Sequence, residues 1–249
     1  MKALMVLLLI VSLNGCATQQ TKPDIAGNTL GPIATKFKTN ANQLIHAAMT
    51  DTAGFERLAE MCDTFGPRFS GSDNLEKAID WILDEMEQDG LDNVHGEEVM
   101  VPKWVRGKES AHMITPYKKE LHMLGLGGSV ATPVQGITAE VLVVNSYEDL
   151  EARASDAKGK IVLFNVPFSN YGETVQYRSG GAIAASQAGA MASIIRSVGP
   201  FSMNTPHTGN SRYESGVKKI PHAAITVEDA AMIARMAKRG DTVTIQLKM

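Results

Sequence analysis

The segment GKIVLFNV, residues 159–166, decides the fold of this 249-residue chain. It is a continuous apolar run opened by Gly159-Lys160, which is typical of a strand buried on both faces. Tyr177–Gly189 is rich in Ala and Gly and is predicted to be a helix, and AMASIIR, residues 190–196, is predicted to be a second buried strand. Strands that alternate with short helices in this way indicate a compact α/β unit.

The same alternation continues on both sides of this segment. Downstream, AAITV at 223–227 leads into a helix that ends near Gly240, and TVTIQLK at 242–248 closes the chain as an alternating strand. A short helix is predicted at Tyr147–Ala154. Upstream, Gly and Pro punctuate further β-rich segments, which are SAHMIT at 110–115, ELHMLGLGG at 120–128 and ITAEVLVV at 137–144. We therefore assign residues 109–249 to one compact β-rich domain.

Residues 40–108 carry a helical pattern instead. Helices are predicted at Ala41–Met49 and Ala53–Phe65 from apolar residues spaced three and four apart. Cys62 lies on the apolar face of the second helix and is interpreted as a small core residue. Once a signal peptide is removed, Cys62 has no second cysteine to pair with, so no disulfide is expected.

A third helix follows, with a predicted capping box of Asp73 and Glu76 at its start and Gly90 at its end. Its apolar residues follow the helical period and include Leu75, Ile79, Ile82 and Met86. A Pro-containing strand is predicted over Val94–Trp104. Because one strand cannot cover these helices, we expect a sheet supplied from elsewhere to pack on them.

The N-terminus is typical of an exported protein. Lys2 precedes the apolar run Ala3–Leu13, which is too short to span a bilayer and suits a signal peptide. The run ends before Cys16 in a pattern that resembles a bacterial lipobox, so residues 1–16 are predicted to be a signal peptide and Cys16 a lipid attachment site. The alternative is an ordinary signal peptide with an incidental cysteine. Residues 17–39 are interpreted as a linker.

Composition bounds the function further. With 44% hydrophobic and 20% charged residues, the chain has the makeup of a globular protein. Its net charge is -3, and Lys and Arg are scattered along it. A nucleic-acid partner is therefore not expected.

Two sets of motifs resemble a known family. GKIVLF at 159–164, AGAMASIIRS at 188–197 and IPHAAITVEDAAMIARMAKRGDTVTIQLKM at 220–249 resemble a protease-associated domain. FGPRFSGSDNLEKAIDWILDEMEQDGLDNV at 65–94 resembles the opening loop and helix of the zinc-dependent exopeptidase fold. Together with EEVMVPKWVRG, MLGLGGSVATP and YGETVQYRSGGA, these segments resemble the carboxypeptidase Q-like metallopeptidases over residues 52–249.

The resemblance implies a secreted peptidase that uses two zinc ions to hydrolyse dipeptides or to remove C-terminal residues. In such enzymes a His-x-Asp pair, a bridging Asp, a Glu-Glu pair and a distant His hold the metals, on the domain that follows the protease-associated insertion. None of the six histidines of this chain is followed two residues later by Asp. No catalytic residue and no metal ligand are therefore assigned, and no zinc is expected to bind to this chain alone.

Other groups carry chemically able residues without the partners that a site needs. His95-Gly96-Glu97-Glu98 resembles a Glu-Glu signature but has no His-x-Asp before it. His112 and His122 lie on candidate neighbouring strands and are interpreted as packed or solvated. Ser70-Gly71-Ser72 is interpreted as a turn and helix cap, and Gly125–Gly128 as a bend between strands.

Two polar, glycine-bearing loops supply the candidate site. They are PFSNYGETVQYRSGG at 167–181 and FSMNTPHTGNSRY at 201–213. Arg178 and His207 are of the residue types that hold a substrate carboxylate or backbone. The resemblance implies that this insertion forms a wall of the catalytic cleft, so both residues are predicted to contact substrate. The alternative is that both loops are ordinary polar surface.

We predict an α/β (mixed α+β) protein with the N-terminal helices of a zinc exopeptidase domain, followed by a β-rich protease-associated domain. Its function is predicted to be the N-terminal part of an exported carboxypeptidase or dipeptidase, inactive by itself, with a peptide substrate and a homodimeric parent. The expected location is the periplasm, the outer membrane through a lipid anchor, or the medium. The alternative is a surface lipoprotein whose protease-associated domain acts as a binding module.

Overall fold

The computed structural model describes residues 31–201 and 203–249. The predicted signal peptide, Cys16 and most of the predicted linker lie outside these residues. The chain divides between Met61 and Cys62 into two compact units, each described by itself below. Across the described residues, no helix combines the length and apolar content needed to cross a membrane.

The first unit contains helix α1, Pro32–Thr50, and the larger part of helix α2, Ala53–Phe65. Residues 32–39, which belong to the predicted linker, are therefore helical. Pro32 stands in the first turn, where its fixed φ suits a helix and its missing N–H is not needed. No residue of α1 is buried.

Helix α3, Asp73–Gln88, is the first helix that lies wholly in the second unit. Its N-cap is Ser72, whose Oγ accepts a hydrogen bond from the N–H of Leu75 at 3.2 Å. The predicted capping box of Asp73 and Glu76 is wrong, because Ser72 has the extended backbone of a cap and Asp73 is already helical.

The apolar side of α3 has little cover in the described chain. Ala78 is the residue of this helix that is buried, while the predicted stripe from Leu75 to Met86 is half-buried or exposed. Cys62 is exposed, so its interpretation as a core residue is wrong. Within the described range, residues 94–109 have no regular secondary structure and pair with no strand, so the predicted strand at Val94–Trp104 is not formed.

The remainder of the second unit is built on a sheet. Its strands are β1 Ser110–Thr115, β2 Lys119–Leu121, β3 Met123–Gly125, β4 Ile137–Val144, β5 Ile161–Phe164, β6 Ala192–Arg196, β7 His222–Ile225 and β8 Thr244–Lys248. They are ordered β2-β1-β8-β4-β5-β6-β7-β3. The β4-β5, β5-β6 and β6-β7 pairs are parallel, and the remaining pairs are antiparallel.

Helices cover both faces of the parallel strands. They are α4 Tyr147–Ala152, α5 Ala154–Ala157, α6 Tyr171–Gln187 and α7 Val227–Lys238. Residues Ile161 and Leu163 of β5 pack in the same core as α7, and Val162 and Phe164 pack in the same core as α4 and α6. This alternation explains why β5 is apolar at every position, and the predicted α/β class is confirmed.

Candidate functional site

The candidate site begins at the N-terminus of α6. Asn170 caps this helix, since its Oδ1 accepts a hydrogen bond from the N–H of Glu173 at 3.0 Å. The helix therefore starts at Tyr171 rather than at the predicted Tyr177. This start places Tyr171 and Arg178 two turns apart on one side of the helix, so the two side chains meet.

The Arg178 guanidinium lies between helix α6 and the loop after β6. Its Nη2 donates to the Tyr171 hydroxyl at 2.9 Å, and its Cζ lies 5.4 Å from the centroid of the Tyr171 ring. Its Nη1 donates to the Thr208 carbonyl at 3.3 Å and lies 3.4 Å from His207 Nε2. The structure thus brings together the two residues predicted from the sequence, Arg178 and His207.

His207 is held by the parallel sheet. Its backbone N–H donates to Ser197 Oγ at 2.9 Å, and the buried Ser197 hydroxyl donates to the Ile225 carbonyl at 2.7 Å. These two bonds fix the loop to the ends of β6 and β7. The His207 ring meets the Tyr171 ring edge-on, with 6.0 Å between centroids.

Gly209 allows the close approach of the loop to Arg178. A Cβ atom at Gly209 would lie 2.5 Å from the Arg178 Cζ, so no other residue fits without moving the guanidinium. Sequence reasoning missed Tyr171, Thr208 and Gly209 as members of the site. Tyr171 could have been found from the sequence, because it lies seven residues before Arg178 on a helix that begins at Tyr171.

The charge of this site is not neutralised within the described chain. Arg178 makes no ion pair with any carboxylate of the residues that the structure describes, and its Nε is buried without a hydrogen-bond partner. Burial, and then the nearby Arg178 charge, lower the pKa of His207, which keeps its ring neutral at neutral pH. A guanidinium with unused N–H groups and no carboxylate can bind an anionic ligand.

His222 supports the helix backbone beneath Arg178. It is fully buried, with Nε2 3.1 Å from the Arg178 carbonyl oxygen and Nδ1 3.2 Å from the Ser193 carbonyl oxygen. Its backbone N–H donates to Ser129 Oγ at 2.9 Å. Burial lowers the pKa of His222 to about 4, because the charged ring would lose its hydration.

The other groups considered from the sequence do not form sites. His95 and Glu97 are exposed with 3.7 Å between them. His112 pairs across the sheet with Glu120, while His122 lies 3.6 Å from Asp229, so the two histidines do not face each other. No three His, Cys, Asp or Glu side chains of the described residues converge as metal ligands, so these residues do not fit a two-zinc site and no catalytic step is derived from them.

Comparison with known proteins shows what this chain resembles. Residues 130–233 match the PA domain family, and this range contains Arg178 and His207. Human carboxypeptidase Q is 56% identical to the chain over 195 residues. The chain is similar to carboxypeptidase Q over most of its length and contains a PA domain. The aligned part of this carboxypeptidase Q-like chain is 78% of its length and 41% of the human protein, so it spans about two fifths of that relative.

Solved structures agree with this placement. The peptidase M28 precursor from Shewanella amazonensis matches the carboxypeptidase Q-like chain with a TM-score of 0.81 and 36% identity, over 86% of this chain and 50% of its own. The zinc aminopeptidase of Bacillus subtilis matches 78% of this chain and 42% of its own with a TM-score of 0.51 and 24% identity. The second likeness supports the fold alone.

Proposed function

We propose that the carboxypeptidase Q-like chain is part of an exported, zinc-dependent carboxypeptidase or dipeptidase, and that the residues holding zinc lie outside residues 1–249. The observation that carries this proposal is the 56% identity to human carboxypeptidase Q. The PA domain and the peptidase M28 precursor from Shewanella amazonensis support it. By itself this chain has no activity on peptides. The homodimer is proposed for the full-length parent enzyme.

The uncovered apolar side chains of the second unit support the same proposal. Val99, Met100 and Val105 are 71%, 90% and 73% exposed, and Ile79 is 38% exposed. Val99, Met100 and Val105 lie within seven residues of one another in the chain, and exposed apolar side chains grouped in this way are typical of an interface. In the parent enzyme these side chains pack against the sheet of the metal-binding domain.

A hybrid enzyme tests the proposal. This chain replaces the aligned segment of human carboxypeptidase Q, and the hybrid is expected to hydrolyse dipeptides, to lose activity to a chelator and to regain it with zinc. This chain alone is expected to give no hydrolysis above the buffer rate, since zinc supplies the activated water in such enzymes when bound. Two results would contradict the proposal, namely a folded, zinc-loaded hybrid that cleaves no dipeptide and hydrolysis by this chain alone.

Arg178 and His207 are proposed to form the substrate wall that recognises the C-terminal carboxylate of the peptide. The unneutralised Arg178 guanidinium supplies charge and unused N–H groups, and the neutral His207 ring borders it. Tyr171 and Gly209 hold the guanidinium in place, so little side-chain entropy is lost when the carboxylate binds.

Arg178→Ala in the hybrid is expected to raise KM for dipeptides about 30-fold with little change in kcat, because a charge-assisted bond worth about 2 kcal/mol is lost equally from the ground and transition states. Arg212→Ala is the matched control, since Arg212 is exposed on the same loop. Steady-state kinetics with free and C-terminally amidated peptides measure the effect. An Arg178→Ala hybrid with unchanged KM for the free peptide would overturn the substrate-wall role and leave the peptidase proposal intact.

A second candidate function is an exported surface lipoprotein whose PA domain is a binding module. The observation that favours it is that the sheet and its two cores are complete within residues 110–249 of the described chain. Mass spectrometry of the mature N-terminus tests this second function, since it requires an acylated Cys16. An unmodified or absent Cys16 in the mature protein would exclude it.

A further inference from the structure

A groove of about 780 Å³ lies beside strand β4, at the point where β4 stops pairing with β8. Strand β4 pairs with β8 over Ile137–Glu140 and with β5 over Val141–Val144. The two neighbours therefore cover different halves of the same strand. The second half of β4 forms one wall of the groove, and helix α7 with residues 241–243 forms the other.

The groove exposes an unpaired strand edge. The N–H of Val141 donates to the Val243 carbonyl at 2.8 Å, which is the last backbone bond on that side. Backbone groups alternate along a strand, so Val143 faces the same edge. Its carbonyl accepts from Arg153 Nη1 at 2.9 Å, while its N–H has no backbone acceptor there. Asn165 also lines the groove, and its Oδ1 is buried without a hydrogen-bond partner.

The walls of the groove carry an excess of positive charge. The positively charged lining residues are Arg153, Lys160, Arg235 and Lys238, and the negatively charged ones are Glu140 and Asp241. Lys160 is 3.1 Å from Glu140, and Arg153 is held by acids that lie outside the groove. The side chains of Arg235 and Lys238, in the last turns of α7, pair with no carboxylate among the described residues. The chain as a whole has a net charge of -3, so this cationic surface is local.

We propose that this groove binds an acidic peptide segment in extended conformation, added as a strand along Val141–Val144. A peptide backbone supplies the carbonyl that the Val143 N–H lacks. Acidic side chains of the same peptide reach Arg235 and Lys238, and the alanines of α7 leave room for them. The groove shares no lining residue with the Arg178 site, so this binding is separate from the proposed peptidase function.

Fluorescence anisotropy on the full chain tests the charge requirement. The probe is a labelled peptide Glu-Val-Asp-Val-Glu, and the comparison peptide replaces each acid with Lys. We expect saturable, salt-sensitive binding of the acidic peptide alone, weakened at least about tenfold by Arg235→Glu with Lys238→Glu. Lys108→Glu with Lys118→Glu changes the net charge equally at exposed positions outside the groove and is expected to leave affinity unchanged. An equal loss of affinity in the two double variants, or no binding of the acidic peptide by the unsubstituted chain, would overturn the proposal.

Hydrogen exchange tests the added strand. The Val143 amide is expected to exchange fast in the free chain and to become protected when the peptide binds. Ala234→Trp fills the groove without changing its charge and is expected to abolish binding, with circular dichroism confirming that the variant is folded. If the peptide bound without protecting the Val143 amide from exchange, charge attraction alone would explain the binding and the proposal of an added strand would be overturned. Concentration-dependent dimers that Ala234→Trp abolishes would assign the groove to a second copy of this chain instead.

Discussion

Replacing Glu109 with alanine is expected to lower the free energy of unfolding by about 3 kcal/mol, because it leaves the half-buried Arg106 guanidinium and the buried Gly125 N–H without their shared partner. The Glu109 side chain is 8% exposed, and both of its oxygens lie 2.7 Å from Arg106 Nη1. Its Oε2 also accepts from the Gly125 N–H at 3.0 Å, and Arg106 donates to the Gly125 carbonyl at 2.8 Å. One carboxylate thus joins the extended segment before β1 to the end of β3.

Urea unfolding followed by circular dichroism measures this loss. Glu109→Gln keeps an acceptor for Gly125 but loses the charge, so a smaller loss of about 1–2 kcal/mol is expected. Glu97→Ala is the matched control, since Glu97 is 82% exposed and its removal is expected to change stability by less than about 0.5 kcal/mol. If Glu109→Ala were as stable as Glu97→Ala, the ion pair would not anchor this segment.

The same ion pair is one of several side-chain contacts that hold residues 102–109 against the sheet unit, although these residues form no strand. The Arg106 guanidinium lies 5.0 Å from the Trp104 ring centroid, and the Trp104 indole N–H donates to the Ser129 carbonyl at 3.0 Å. Phe69 packs edge-on against Trp104 at 5.8 Å. Side-chain contacts therefore fix this segment to the sheet unit in place of a ladder of backbone bonds.

The parts of the fold that could be predicted from sequence are those with a local signal. Neighbouring residues were enough to predict strands β5 and β6, which are continuous apolar runs, and the end of α7, which is followed by Gly240. The strand expected at Val94–Trp104 failed because a strand exists through its partner, and periodicity carries no information about whether a partner is present. The start of α6 was misplaced because the Asn170 cap was not recognised.

The residue types of the candidate site could be read from the sequence, but the contacts that position them could not. Polar loops with Arg and His pointed to Arg178 and His207, which the structure places 3.4 Å apart. The support given by His222 could not be inferred, because an isolated histidine in an apolar strand gives no sign of which carbonyls it will meet. That the ring lies between the Ser193 and Arg178 carbonyls depends on how α6 packs on β6 and β7.

The chain is expected to lose stability in mild acid through His222. Its pKa falls from 6.5 to about 4 on folding, so the unfolded chain binds a proton more tightly than the folded chain between these values. The stability that the neutral ring contributes is therefore complete above pH 6.5 and is lost as the pH falls toward 4. The full loss corresponds to at most about 3.5 kcal/mol, from about 1.4 kcal/mol for each unit of pKa.

Urea unfolding at pH 7 and pH 4.5 separates this effect from the titration of carboxylates. His222→Gln keeps a polar side chain between the two carbonyls but does not titrate, so its loss of stability between these pH values is expected to be smaller than that of the parent chain by up to about 3 kcal/mol. His46→Gln is the matched control, since His46 is exposed on α1 and is expected to leave the pH dependence unchanged. Equal pH dependence in the parent chain and His222→Gln would mean that the buried ring accepts a proton as readily as a solvated one. The two carbonyl oxygens that face its nitrogens would then outweigh burial, since a protonated ring donates to both.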